Sequence, residues 1–182
     1  VLEVSDGIRF IHAGNPLNDL FTLEVRMEEG YRHQPLLPYV KRMIDRSGAG
    51  ETTAENLKIE WYKLGTDFSF GIRDLLSSFA LSGLDENMEP SLELARKLLQ
   101  SPKITSEKWE ESKKIILSER DDEGKDPRAL SNALAHFHRY GEKSRYLQRP
   151  SDAEVNATTV EGLAENLADL LQTERTILYY GP

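Results

Sequence analysis

Strict alternation of apolar and polar positions marks the early part of the chain. Leu20-Phe21-Thr22-Leu23-Glu24-Val25-Arg26-Met27 has the period of two of a half-buried strand, bounded by Asn15-Pro16-Leu17-Asn18 before it and Glu28-Glu29-Gly30 after it. A shorter strand is expected at Ile8-Arg9-Phe10-Ile11, behind the Asp6-Gly7 turn. The period then lengthens, and two helices are predicted over about 35–46 and 52–63. In the second, Leu57, Trp61 and Leu64 fall on one stripe at i, i+4 and i+7; a Thr52–Glu55 capping box opens it and Leu64-Gly65 closes it.

The chain returns to strand between Thr66 and Leu84. Phe68, Phe70 and Ile72 alternate with Asp67, Ser69 and Gly71, and Leu76 to Leu81 forms the returning arm beyond a turn at Arg73-Asp74. From Glu89 onward the pattern is helical, over about 89–100, 105–123, 127–139 and 158–172. Helix starts are signalled at Thr105-Ser106, Ser151-x-x-Glu154 and Thr158-x-x-Glu161. Arg175-Thr176-Ile177-Leu178-Tyr179-Tyr180 is a last strand. Hairpins followed by a run of helices indicate an α+β fold, with a mainly antiparallel sheet and its helices packed on one face. No repeat, low-complexity tract or linker interrupts the chain, so a single domain over residues 1–182 is expected.

Composition narrows the function classes. The 182 residues suffice for one sizeable core, and 38% hydrophobic with 30% charged residues is ordinary for a globular chain. A net charge of −8 argues against a nucleic-acid partner, because phosphate binding needs clustered Lys and Arg. With no cysteine, disulfides and thiolate metal sites are excluded. No run approaches the roughly 18 apolar residues of a membrane span, and no signal peptide is legible. The chain opens on Val1 and stops at Tyr180-Gly181-Pro182, directly after a strand-like run, so we expect it to be a fragment of a longer protein.

Five stretches, in order and at matching spacings, carry a resemblance to a known family. They are residues 36–66, with Leu64-Gly65-Thr66-Asp67-Phe68-Ser69-Phe70 at their end; Ala95-Arg96-Lys97-Leu98-Leu99 with Ile104 to Trp109; and Lys113-Lys114-Ile115-Ile116-Leu117-Ser118-Glu119-Arg120 with Asp126-Pro127. Tyr140-Gly141 through Tyr146 and Arg149-Pro150, and Thr158-Thr159-Val160-Glu161-Gly162-Leu163, complete the set. Together these resemble a half-domain of the insulinase/pitrilysin-type (inverzincin) metallopeptidases, with Arg145 standing where proline is usual. Active halves of that family carry H-x-x-E-H on the first helix of the 36–66 pair. Two imidazoles four apart grip zinc there, and a carboxylate serves as general base. Residues 36–46 contain neither a His nor a Glu.

The resemblance therefore implies a catalytically silent half-domain. Such a half packs against a homologous half-domain, of the same protein or of a second subunit, and helps shape a chamber that holds unfolded peptides. No cofactor is expected in this chain, and the resemblance places any zinc in the partner half-domain. Glu119 falls about where the family keeps its distal metal ligand. One turn after Ile115, it is expected to face inward and pair with Arg or Lys rather than bind metal. His136 and His138 stand two apart on a helix and diverge by about 200°, so they cannot share a metal. Asp121-Asp122-Glu123, at a helix C-terminus, oppose the macrodipole, and this end is expected to fray or to grip a cation or a partner.

No G-x-S-x-G elbow or phosphate loop is present, and Ser47-Gly48-Ala49-Gly50 is an interhelical turn. Tyr140, Arg145, Tyr146 and Arg149 are the candidates for substrate or partner contact, against a plain helix-end packing role. Two alternatives stay open at this level: an active zinc peptidase with unusual ligands around Glu119, and a purely structural assembly subunit.

Overall fold

The computed structural model describes residues 2–182, with side chains from residue 6 onward. Eight strands and eight helices follow one another as β1 (Leu2–Ser5), β2 (Ile8–Gly14), β3 (Leu20–Met27), α1 (Leu37–Ile44), β4 (Gly48–Ala49), α2 (Ala54–Leu64), β5 (Asp67–Ile72), β6 (Ser77–Leu84), α3 (Met88–Gln100), β7 (Pro102–Lys103), α4 (Ser106–Lys125), α5 (Pro127–Tyr140), α6 (Arg145–Gln148), α7 (Asp152–Ala157), α8 (Val160–Leu170) and β8 (Arg175–Gly181). They form two compact units. One runs to Ile104 and includes Leu163–Pro182; the other is Thr105–Gly162.

The first unit is built on a six-stranded sheet in the order β1-β2-β8-β3-β6-β5. All neighbours are antiparallel except β2 and β8, which run parallel. β3 pairs with β6 on one side and β8 on the other, so its alternation decides the character of both faces. Phe21, Val25 and Met27 are buried on one face, with Leu81 and Phe70 from neighbouring strands. Trp61 of α2 and Met88, Leu92 and Ala95 of α3 pack around Phe21 and Leu81 on this side. The opposite face shows Thr22, Arg26, Asp67 and Ser69 to solvent. Helices on one side and water on the other follow from the period-two pattern.

Helix ends explain several boundaries. Gly65 ends α2 in the left-handed region at φ 59°, and its N–H reaches the Trp61 and Tyr62 carbonyls. The N-cap of α2 is Thr53, which accepts from the Asn56 N–H, and not Thr52 as expected. Thr52 is instead drawn into a bridge with Ala49, which moves the helix start on by one residue. The Gly-containing turn holds the two-residue strand β4, paired with β7. Two further strands are not among the elements predicted above: β1, and β7, which at two residues is too short to alternate.

Gly30 permits a close backbone approach. The 30–32 segment docks on the β5–β6 turn, with Tyr31 and Arg32 N–H groups donating 3.0 Å bonds to the Arg73 and Asp74 carbonyls. A Cβ on Gly30 would lie 2.3 Å from the Arg73 oxygen and 2.5 Å from the Asp74 oxygen. Gly30→Ala should therefore destabilise the protein by about 1–3 kcal/mol through forced backbone displacement. Gly124→Ala, within α4 and with nothing inside 4 Å of its new methyl, should instead be neutral or stabilising by up to about 1 kcal/mol. Urea denaturation of both variants checks the contrast, and equal midpoints would refute it.

Candidate functional site

Two regions hold the residues singled out from sequence, one in each unit. In the first, α1 occupies the place of the metal-binding helix implied by the resemblance. Pro38 stands in its first turn, where a missing N–H costs nothing, and Lys41 and Arg42 stand in its last turn, where cations suit the dipole. Its inward side is wholly apolar: Leu37, Val40 and Met43 are fully buried and Ile44 nearly so. That face is hydrophobic core.

α1 lies against β5, the edge strand of the sheet. β5 pairs with β6 in unbroken register from Asp67 to Ile72 and carries no Lys, Pro or bulge to discourage another strand. The opposite edge differs, since β1 shifts register between Glu3 and Ser5. Beside β5, a cleft of about 590 Å³ is lined by Asp45, Leu57, Lys58, Trp61, Asp67 and Phe68. Trp61 and Phe68 stack at 5.6 Å within it.

In the second unit, α4 buries Trp109, Ser112, Lys113 and Ile116. Donors along this helix hold the 150–158 segment. The Trp109 indole N–H reaches the Thr158 carbonyl at 2.9 Å, Lys113 Nζ the Asn156 carbonyl at 3.0 Å, and Arg120 the Pro150 carbonyl at 2.7 Å. Arg120 also pairs with Asp152. Ser151 and Glu154 form the expected capping box of α7, and the Ser151 hydroxyl and N–H hold the Glu154 carboxyl below the usual carboxylate range. Thr158 does not cap α8: its hydroxyl donates to the Glu154 carbonyl, and Thr159 accepts from the Gly162 N–H in its place.

Glu119 is exposed, contrary to the expectation that it faces inward. The buried stripe of α4 runs through residues 109, 112, 113 and 116, so Ile115, itself 39% exposed, and Glu119 lie on its flank. At the acidic end of α4, which is helical to Lys125, Asp121 pairs with Lys125 and Glu123 with Arg149. Among the described residues, no group of three His, Asp or Glu side chains stands close enough to hold a metal ion.

The four contact candidates divide. Tyr140 and Tyr146 both meet the His136 ring, at 4.5 and 5.8 Å, and the Arg145 guanidinium lies 5.0 Å over Tyr146. Arg145 also donates to the Tyr146 hydroxyl at 3.2 Å. Arg149 is held apart by Glu123. His136 Nδ1 lies 3.1 Å from the hydroxyl of Ser144, which is fully buried. Sequence reasoning missed His136 as the centre of this cluster and Arg139 as a member, its guanidinium 5.6 Å over Tyr140. The signal was available: His136 and Tyr140 are four apart on one helical face. α5 also buries none of its residues, leaving Leu130, Leu134 and Phe137 47%, 68% and 49% exposed. His12 and His33 belong elsewhere, stacked on Tyr179 and paired with Glu29.

No protein-family model and no curated protein sequence matches the chain. Solved structures do. The peptidase M16 inactive domain from Pseudomonas fluorescens superposes with a TM-score of 0.82 at 16% identity, covering 99% of this chain and 45% of that one. The periplasmic protease PqqL from Escherichia coli gives 0.82 at 16% identity over 98% of this chain and 20% of its own length. A putative M16-like peptidase from Alicyclobacillus acidocaldarius gives 0.73 at 13% identity, covering 99% of this chain and 45% of that one. The chain thus spans less than half the length of each of these structures, and what it shares with them is the fold. Among the described residues, no helix is long and apolar enough to cross a membrane.

Ser144→Ala should cost about 1–2 kcal/mol by stranding the half-buried His136 nitrogen. Denaturation followed by tyrosine fluorescence checks this, and an unchanged midpoint counts against it. The α7 capping box should show a defined pH dependence. Because the Glu154 carboxyl is depressed, its stabilisation is complete above the unfolded value of about 4.3 and is lost as pH falls through the folded value. Glu154→Gln should remove that part of the acid limb of a melting-temperature profile; a superimposable acid limb would contradict the assignment.

Proposed function

We propose that this chain is a metal-free, catalytically silent domain of an insulinase-type zinc peptidase or of its inactive homologue. It packs against a homologous half-domain and forms part of the wall of a peptide-holding chamber, and any zinc belongs to the partner half-domain. The observation that carries this is the inward face of α1. Where the fold's active form needs two imidazoles and a carboxylate, this helix supplies Leu37, Val40, Met43 and Ile44 to the core. Restoring a ligand there would put an unpaired polar group into a packed apolar layer, at a cost of about 2–5 kcal/mol.

The peptide-holding part of the proposal rests on β5. Its open, regular edge offers backbone N–H and C=O groups to an extended chain, and the neighbouring cleft can take an alternate side chain from an added strand. Tyr140, Arg145, Tyr146 and Arg149 are proposed as further contacts to peptide or partner. The exposed position of Glu119 weighs against the active-peptidase alternative, which needs that carboxylate at a shared metal site.

Purified protein supplied with zinc should release no product from an unfolded fluorogenic substrate, while retaining it in a binding assay. Chelator-sensitive turnover that disappears in Glu119→Ala would overturn the silent-domain proposal. Failure to bind any unfolded peptide would leave the structural assembly subunit as the better account.

A further inference from the structure

Two groups of exposed apolar side chains take no part in either core, and their surroundings carry opposite charge. The first lies at one end of the sheet. Leu20 and Leu84 are partners across β3 and β6, and Tyr180 is the partner of Thr22, two residues on from Leu20, so all three share the solvent face. Each is exposed, and Leu17 in the neighbouring loop is 84% exposed. The buried Asn15 fastens that loop. Its side-chain amide donates to Asn18 Oδ1 at 2.7 Å and to the Leu20 carbonyl at 3.0 Å, and its oxygen accepts from the Leu17 N–H at 3.1 Å and the Tyr180 hydroxyl at 3.2 Å. A loop tied this way presents Leu17 with its ordering cost already met.

This end of the sheet is acidic. Asp19 precedes Leu20, Asp85 and Glu86 follow Leu84, and the Asp85 N–H bonds the Asp19 carbonyl at 2.8 Å. No Lys or Arg stands between Arg9 and Arg26, between Arg73 and Arg96, or after Arg175. Arg26, on the same face, lies about 20 Å along β3 from Leu20 and is paired with Glu24. The second group is the stripe of Leu130, Leu134 and Phe137 on α5, at i, i+4 and i+7. α5 contains no Asp or Glu, and its two arginines are Arg128 and Arg139. The flanking acids Asp126 and Glu142 are offset by Lys125 and Lys143 beside them. By helical spacing both arginines leave α5 from the flank opposite the stripe. A helix is about 10–12 Å across, close to one Debye length of roughly 8–10 Å, so their field still reaches it.

We infer that α5 of one copy of this chain docks on the Leu17, Leu20, Leu84 and Tyr180 surface of another, so that copies associate head to tail. An apolar stripe on a cationic helix meets an apolar patch on an acidic sheet end, and one chain supplies both. The charges choose the partner and speed the encounter, while the apolar side chains hold it. Because the two surfaces differ, the contact is heterologous and repeats until a ring closes or an open line forms. Few side chains take part, which places the contact at the weak end, with a dissociation constant of the order of micromolar. This association is additional to the pairing with a homologous half-domain proposed above and does not depend on it.

Sedimentation velocity of the full chain should show an average mass that climbs with concentration past that of a dimer. Leu134→Glu with Phe137→Glu removes one face, and Leu17→Gln with Leu84→Gln removes the other; each double variant alone should stay monomeric. Mixed in equal amounts, the two retain one intact face apiece and should form a one-to-one complex that grows no further. At about 1 M salt, where the Debye length is about 3 Å, association of the unaltered chain should weaken about tenfold. Arg128→Glu with Arg139→Glu should weaken it likewise, whereas Lys58→Glu with Lys114→Glu, an equal charge change at other exposed positions, should not.

A chain that stays monomeric at every concentration would overturn the inference. So would a dimer that stops at two with α5 cross-linked to α5, association that tightens with salt, or a mixture of the double variants that remains monomeric while both keep the parent circular dichroism. Leu134→Gln and Leu17→Gln, at the most exposed position of each face, repeat the mixing test should either double variant fold poorly. These readouts are of mass alone, so they stand apart from turnover and peptide binding, which decide the proposed function.

Discussion

The placement of β3 between β6 and β8 is the constraint on which the first unit depends. A strand paired on both sides has no freedom to slip, because a one-residue shift would exchange Phe21, Val25 and Met27 for Thr22, Glu24 and Arg26 on the helix-covered face. That exchange would bury a carboxylate and a guanidinium in an apolar layer and expose three core side chains. The same register places Leu81 and Phe70 with the core and leaves Ser69 and Asp67 in water. Everything laid on the inner face, including α1 with its apolar stripe, takes its position from this pairing.

A core built this way leaves little room for chemistry in the first unit, and what it leaves lies at the margin. The α1 face is filled, while the edge of β5 and its adjoining cleft are open. Polar organisation is concentrated in the second unit. There Trp109, Lys113 and Arg120 reach backbone carbonyls of the segment between Pro150 and Thr158, and His136 gathers two tyrosines. Donors committed to carbonyls tie that segment to α4.

Much of this was legible in the residues. Period two marked β3 and β5, Leu64-Gly65 marked the end of α2, and Ser151 with Glu154 marked the start of α7, because each is a local signal with a local cause. Errors arose where a residue had two possible local partners. Thr52 could cap a helix or bridge to Ala49, and Thr158 could cap α8 or bond back to Glu154; in each case the other bond formed. Glu119 was misplaced because Ile115 and Ile116 are adjacent and equally apolar. Ile116 falls on the buried stripe that runs through Trp109, Ser112 and Lys113, and Ile115 falls beside it.

The sequence by itself determined the α+β class, the one-sided sheet and the absence of a zinc-gripping pair on the first helix, since all three depend on residue type and spacing along a single element. The tertiary structure alone decided that α1 fills its inward face with core, that Glu119 faces water, and that β5 is the regular, open edge. It also brought Tyr140, Tyr146 and Arg145 together around His136 while leaving Arg149 with Glu123. The physical reason is common to these cases. Periodicity states which side of an element is apolar, but which neighbour meets that side is a matter of packing between elements far apart in the chain.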